Sequence, residues 1–350
     1  MSKAVLDKQP IHHARNMTPV DPRLEPSYTT ANRRPRRSAA RQQADGVFFW
    51  VLCLASALTL LALAITVGPA SADSRSGPAS ERPSHGFPDL SDQAGQGDSC
   101  SSTHGRIERD EITVEGQPRP LPFRVYLPPC YDSSTGQRYP VLYLLHGLLG
   151  TDAQWDEYGA DEAADDLIAS GAIPPFIIVM PWERTGLQIE TALVDGLIDH
   201  IDRTYRTQAQ ARWRAIGGLS RGGGQALEIG LRHPLIFGQI SMHSPAVLHG
   251  DVLLVRWLDA IPAGKLPALW VDIGLQDSLL PSTEHLVEFL FQQDIAPTLQ
   301  FNSGDHLPEY WKANLPNYLR WHGGLWRAQQ MRENMRSSAA EAEPTHYSRS

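Results

Sequence analysis

The stretch from Arg214 to Leu227, RAIGGLSRGGGQAL, crowds five glycines around one serine. Glycine weakens strands and helices alike, so such a cluster needs a local reason. Gly218-Leu219-Ser220-Arg221-Gly222 fits the pattern GxSxG, directly after an apolar run and before a helical pattern. At a strand-to-helix turn of this kind the serine takes a strained backbone conformation. The residues two positions either side must then lack side chains, so that strand and helix can approach. Gly218 and Gly222 meet that need. A serine displayed this way is suited to nucleophilic attack, and the unpaired N–H groups of the helix start favour developing negative charge. The rival reading is a plain turn or a glycine-rich phosphate loop, and the sequence holds no GxxxxGK[ST] pattern.

A hydroxyl is a poor nucleophile alone and needs a base with an orienting acid, which in this sheet type follow the serine in the order acid, histidine. Asp277 lies just past the strand-like ALWVDIG, and His306 lies in the loop after TLQF. Both are expected at the same sheet edge as Ser220, the edge where open α/β folds bind ligands. Asp272 falls inside its strand and reads as a structural hydrogen-bonding group, while Asp305 adjoins His306 too closely for an in-line contact with its ring. Among other histidines, His243 precedes the acid, His285 falls on a helical pattern, and His233 ends a helix before Pro234. Acyl transfer also needs oxyanion donors. The backbone N–H of Arg221 is one candidate and that of Leu148, in the loop His146-Gly147-Leu148-Leu149-Gly150, is the second. His146 itself reads as a structural residue at a strand end.

The elements that position these residues alternate. VLYLL (141–145), FIIVM (176–180), WRAIG (213–217), FGQISM (237–242), ALWVDIG (268–274) and TLQF (298–301) read as buried strands. Helical patterns fall near 160–170, 191–205, 222–232 and 282–293. Alternation of this kind predicts an α/β fold with a mostly parallel central sheet and helices on both faces. IERDEITV and LPFRVYL form a leading hairpin that adds antiparallel strands at one edge. The catalytic region is assigned to 104–327, and 328–350 to a tail that starts as a frayed helix.

The first hundred residues differ. Residues 1–45 carry nine Lys and Arg against four Asp and Glu, in a chain of net charge −8, so they read as a disordered basic arm on an acidic remainder. Val47 to Val67 contains no charged residue; as a helix its rise covers about 30 Å, the thickness of a bilayer's apolar core. Residues 46–68 are therefore assigned to one transmembrane helix, with the arginine-rich side cytoplasmic and the rest exported. Ala70-Ser71-Ala72 resembles a signal-peptidase site, and cleavage after Ala72 would instead yield a secreted protein. A membrane span beside the arm explains its charge, so no nucleic-acid partner is expected. Residues 69–103, rich in Ser, Gly, Pro and Asp, read as a flexible linker.

Of three cysteines, Cys53 lies in the apolar run, and Cys100 and Cys130 flank the hairpin. In an oxidising compartment the latter two form a candidate disulfide; two unrelated thiols are the alternative. No ligand cluster has metal-binding spacing, so no metal and no organic cofactor is expected.

YLPPCYD, RYPVLYLLHG, GLSRGG, DIGLQD and GDHLPEYWKANLPNYLRW occur in that order. From Gly105 to Trp321 the chain thereby resembles the esterase family that includes esterase D, enterochelin esterases, feruloyl esterases and the antigen 85 mycolyltransferases. The resemblance implies an α/β-hydrolase fold, with Ser220 as nucleophile, Asp277 as acid, His306 as base, and Leu148 and Arg221 as oxyanion donors. Two departures bear on specificity. Arg221 stands where many relatives have methionine, so its side chain either reaches an acidic substrate group or lies in solvent. PWERTGLQ (181–188) is shorter than the matching loop of many members. The expected activity is hydrolysis of a small-molecule or envelope carboxylic ester outside the cytoplasm. Acyl transfer to an envelope glycan or lipid would use the same residues, and a non-catalytic binding protein on the same scaffold is the third reading.

Overall fold

The computed structural model describes residues 100 and 102–342. The basic arm, the apolar run 47–67 and nearly all of the linker lie outside the described residues. Among the described residues no helix is long and apolar enough to cross a membrane.

Eight strands form one sheet: β1 (Arg106–Ile112), β2 (Leu121–Leu127), β3 (Val141–Leu145), β4 (Ile177–Pro181), β5 (Arg214–Leu219), β6 (Gln239–His243), β7 (Ala268–Gly274) and β8 (Thr298–Asn302). Their spatial order is β1-β2-β4-β3-β5-β6-β7-β8. β1 and β2 pair antiparallel, as do β2 and β4, and every pair from β4 through β3 to β8 is parallel. The mostly parallel sheet and its antiparallel edge therefore match the sequence expectation. β1, whose RIERDEI is largely exposed, closes one edge with charged side chains that discourage pairing with another chain.

β3 to β6 are buried along their whole length, and side-chain alternation divides them between two cores. Val141, Tyr143 and Leu145 of β3 point to one face and Leu142 and Leu144 to the other; Ile177 and Val179 of β4 part from Ile178 and Met180 in the same way. The first face packs on Leu193, Leu197 and Ile201, on Ala226 and Leu227 of α5 (Arg221–Arg232), and on Leu286 and Leu290 of α7 (Leu280–Gln292). The second packs on α2 (Ala160–Ala169) and α8 (Pro308–Ala342). Trp155, on the single turn α1 (Gln154–Glu157), is buried and donates its Nε1–H to the Leu145 carbonyl at 3.0 Å.

Three features depart from the expected elements. The helix expected near 191–205 comprises α3 (Ile189–Ala192) and α4 (Ile198–Thr204), joined by one wide turn over Leu193–Leu197. α6 (Asp251–Asp259) buries only Leu254 fully, so its VLLV run shows no helical period to read. α8 starts at Pro308 rather than fraying from Ala328, and it runs unbroken to Ala342 through Pro316. An internal proline usually argues against helix, since it removes a hydrogen bond and crowds the preceding turn. Here Tyr310, Trp311, Leu315, Tyr318, Leu319 and Trp326 all bury against the sheet, and that packing outweighs the local cost.

Candidate active site

β5 ends at Leu219 and α5 begins at Arg221, leaving Ser220 between them with φ 54° and ψ −119°. This is a rare conformation for a residue with a Cβ and persists only when its surroundings over-determine it. Here they do: the Ser220 N–H donates to the His243 carbonyl (2.8 Å), and the Ser220 carbonyl accepts from the N–H of Ala246 (2.9 Å), Gly223 (3.0 Å) and Gly224 (3.1 Å). The flanking glycines are required by space. A Cβ on Gly218 would lie 2.4 Å from the Gly222 backbone, and one on Gly222 would lie 2.4 Å from the Leu145 carbonyl oxygen.

Across the turn stands His306. Its Nε2 is 2.8 Å from Ser220 Oγ, and its Nδ1 is 2.8 Å from Asp277 Oδ2. Asp277 is almost fully buried, and its other oxygen accepts the Leu279 N–H at 2.8 Å. The carboxylate is thus pinned on both oxygens, with its free rotation removed. Trp311 of α8 packs edge-on against the His306 ring, with centroids 5.0 Å apart. The three side chains selected from sequence order are therefore brought into one hydrogen-bonded chain.

The loops carrying acid and histidine are themselves tied together. Leu275 and Gln276 donate their N–H groups to the carbonyls of Asn302 and Gly304 (2.8 and 2.9 Å), and Gln276 Oε1 accepts the Gly304 N–H at 2.7 Å. Gln276 thus clamps the Asp277 loop to the His306 loop. Sequence reasoning missed this residue, because its partner lies 28 positions away and no local pattern marks it.

Asp272 and His243 do not join that chain. Asp272 is fully buried beneath the site, with His243 Nδ1 at 2.5 Å, the Trp270 Nε1–H at 3.1 Å and the Tyr318 O–H at 2.8 Å. His243 Nε2 meets Ser241 Oγ, which also contacts His322. Burial holds the pKa of His322 well below the usual histidine value, and His243 adds to that effect. Burial beside Asp272 raises the Tyr318 hydroxyl well above its ordinary pKa, so it stays a donor. The network fixes His243, whose carbonyl holds the Ser220 N–H; its role is support. His285 sits on α7 facing Asp251, and His233 caps α5 beside Glu190, both away from this chain.

His146 is nearly buried, and its pKa is lowered by that burial. The following turn runs Gly147 to Gly150, closed by the Gly150 N–H on the Gly147 carbonyl at 3.1 Å. It lies against the nucleophile turn: a Cβ on Gly147 would come within 2.8 Å of Leu219 Cδ1. Neither the Leu148 nor the Arg221 N–H has a backbone acceptor outside the regular helices and strands among the described residues. Cys100 and Cys130 are joined as a disulfide, with Cα atoms 5.6 Å apart. Among the described residues no group of His, Cys, Asp or Glu stands in place to hold a metal ion.

A mostly parallel eight-stranded sheet with a strained serine at a strand-to-helix turn, and an acid and a histidine on the loops after the next strands, defines the α/β-hydrolase class. Residues 115–322 match the family model described as "Putative esterase", and the chain belongs to that family. An endo-1,4-beta-xylanase/feruloyl esterase from Xylanibacter ruminicola is 36% identical over 151 residues, which are 39% of this chain and 21% of that protein. An esterase from Mycobacterium tuberculosis is 35% identical over 165 residues, 43% of this chain and 34% of its own length. The chain thus matches about a fifth and a third of the lengths of these curated relatives. Among solved structures, a ferulic acid esterase superposes with a TM-score of 0.58 at 24% identity, covering 63% of this chain and 98% of that one. This last likeness concerns the fold.

Proposed function

We propose that this chain is a serine esterase that cleaves a carboxylic ester through an acyl-enzyme. The observation that carries the reading is the continuous chain Ser220 Oγ to His306 Nε2 and His306 Nδ1 to Asp277 Oδ2, each link 2.8 Å. Ser220 Oγ attacks the ester carbonyl carbon while its proton passes to His306 Nε2. The carbonyl oxygen becomes an oxyanion and takes the N–H groups of Leu148 and Arg221. As the tetrahedral intermediate collapses, the bond to the alcohol oxygen breaks and His306 returns the proton to that oxygen. Water then repeats the sequence on the acyl-enzyme, releasing the acid and regenerating Ser220. Asp277 holds the proton-bearing Nδ1 and stabilises the imidazolium that forms in each half-reaction. Ser220→Ala should abolish turnover of p-nitrophenyl acetate in a protein that still melts cooperatively; undiminished turnover would remove the assignment.

The names of two similar proteins include feruloyl or ferulic acid esterase activity, which supports testing methyl ferulate beside short p-nitrophenyl esters. For location, the reading is a catalytic domain outside the cytoplasm, anchored through residues 47–67. Two observations support it: the Cys100–Cys130 disulfide, a bond that persists in oxidising compartments, and the arginine-flanked apolar run. N-terminal sequencing of the mature protein tests the anchor, since a start at Asp73 would mean that the apolar segment had been removed.

A further inference from the structure

The side chain of Arg221 is only partly exposed and folds onto neighbouring polar groups. Its Nη2 lies 3.1 Å from Glu183 Oε2 and 3.3 Å from the Gly147 carbonyl oxygen. Glu183, in the loop after β4, is held in turn by Gln225 Nε2 of α5 at 2.9 Å. Arg221 and Gln225 lie four positions apart, one turn of the same helix, so both grip the carboxylate from one face.

Glu183 also reaches the oxyanion loop through its backbone. Its N–H donates to His146 Nε2 at 3.0 Å, which requires that nitrogen to be unprotonated. The proton of neutral His146 therefore sits on Nδ1, which donates to the Gly147 carbonyl at 2.7 Å. Burial lowers the His146 pKa in the direction this neutral form needs. Arg221 Nη2 is 3.4 Å from that same Nδ1, but two donors cannot bond each other. Besides Glu183, the guanidinium's acceptor is therefore the carbonyl and not the ring. Gly147 O thus receives three donors: His146 Nδ1–H, Arg221 Nη2–H and the Gly150 N–H.

Direction follows from peptide geometry. The Gly147 carbonyl and the Leu148 N–H belong to one planar unit, and no peptide bond in the described residues is cis. In a trans unit these two groups point opposite ways. Whatever holds the carbonyl therefore aims the N–H. We propose that the Arg221 side chain, latched by Glu183, is a positioning residue that fixes the Gly147–Leu148 peptide and thereby directs the Leu148 N–H at the ester oxyanion. The inference rests on the esterase reading above. It gives Arg221 two separate roles, its backbone N–H as a donor and its side chain as a brace for the second donor.

The test is Arg221→Met, which keeps the backbone N–H, assayed with p-nitrophenyl acetate beside Glu183→Gln. Because a misdirected donor is still present, kcat should fall about 10- to 100-fold, at or below the range for losing a donor outright, with KM within about twofold. Guanidinium chloride at millimolar concentration should restore part of kcat in Arg221→Ala and none in Ser220→Ala. Unchanged kcat in Arg221→Met, or a rise in KM confined to an ester bearing a carboxylate on its acyl part, would overturn the proposal. A loss of kcat that only follows a lowered melting temperature, without guanidinium rescue, would overturn it too. Ser220→Ala separates the two readings. If that variant is inactive while Arg221→Met is fully active, only this inference fails; if it retains activity, the esterase reading itself fails.

Discussion

Asp272 and Asp277 are five residues apart at the end of one strand, yet they serve different histidines. Asp272 bonds His243 in the buried layer below the nucleophile turn, and Asp277 bonds His306 above it. β7 ends at Gly274, so Asp272 is committed to the sheet while Asp277 belongs to the loop that reaches over the rim.

The two aspartates should therefore separate on mutation. Asp277→Asn should lower kcat by about 10³- to 10⁴-fold, because the amide favours the wrong imidazole tautomer and cannot stabilise its cation. Stability should change little. Asp272→Asn should instead cost about 1 to 3 kcal/mol of stability, as donors from Tyr318, Trp270 and His243 lose a charged acceptor in a buried site. Steady-state kinetics and urea unfolding of both variants check this, and the reverse ranking would exchange their roles.

Crowding at the nucleophile turn makes a second expectation. Gly222→Ala places a methyl group 2.4 Å from the Leu145 carbonyl, so strand β3 and helix α5 must part. The cost should be about 1 to 3 kcal/mol, with turnover reduced because the same movement shifts Ser220. Gly136→Ala is the control, since nothing lies within 4 Å of its Cβ position. Equal melting temperatures for the two variants would contradict the packing account.

Acid should act through opposing groups. Burial lowers the pKa of His322 and His146 in the folded state, so the unfolded chain takes up protons first as pH falls below about 6.5. Stability contributed by keeping these rings neutral is then lost, at up to about 1.4 kcal/mol per pH unit for each ring. Asp161 works the other way. Burial, with the neighbouring Glu162, raises its carboxyl to about 7, so acid relieves a cost that the folded state bears at neutral pH. His322→Gln should flatten the fall in melting temperature between pH 7.5 and 5, and Asp161→Asn should steepen it. Parallel pH profiles for both variants and the parent protein would contradict these assignments.

The legible part of this site was the part encoded locally. Glycines at 218 and 222 state a steric need at the turn itself, and the order Ser220, Asp277, His306 needs only the positions of strands. The antiparallel edge and parallel centre followed from the alternation of short apolar runs with helical ones. What stayed hidden depends on loops meeting in space. Gln276 grips Gly304, and Glu183 grips Arg221, across separations that leave no periodic trace. Arg221 was expected to face substrate or solvent, and its side chain instead folds onto Glu183 and the Gly147 carbonyl. α8 was obscured by Pro316, whose local cost is visible in sequence while the offsetting burial of Trp311, Leu315 and Leu319 is not.

The central claim is that the Ser220 hydroxyl is the nucleophile. Labelling the purified protein with a fluorophosphonate, followed by peptide mapping, addresses it most directly. The account predicts one label on Ser220, lost in Ser220→Ala and strongly slowed in His306→Ala. A label on any other residue, or full esterase activity with Ser220 unmodified under saturating probe, would contradict it.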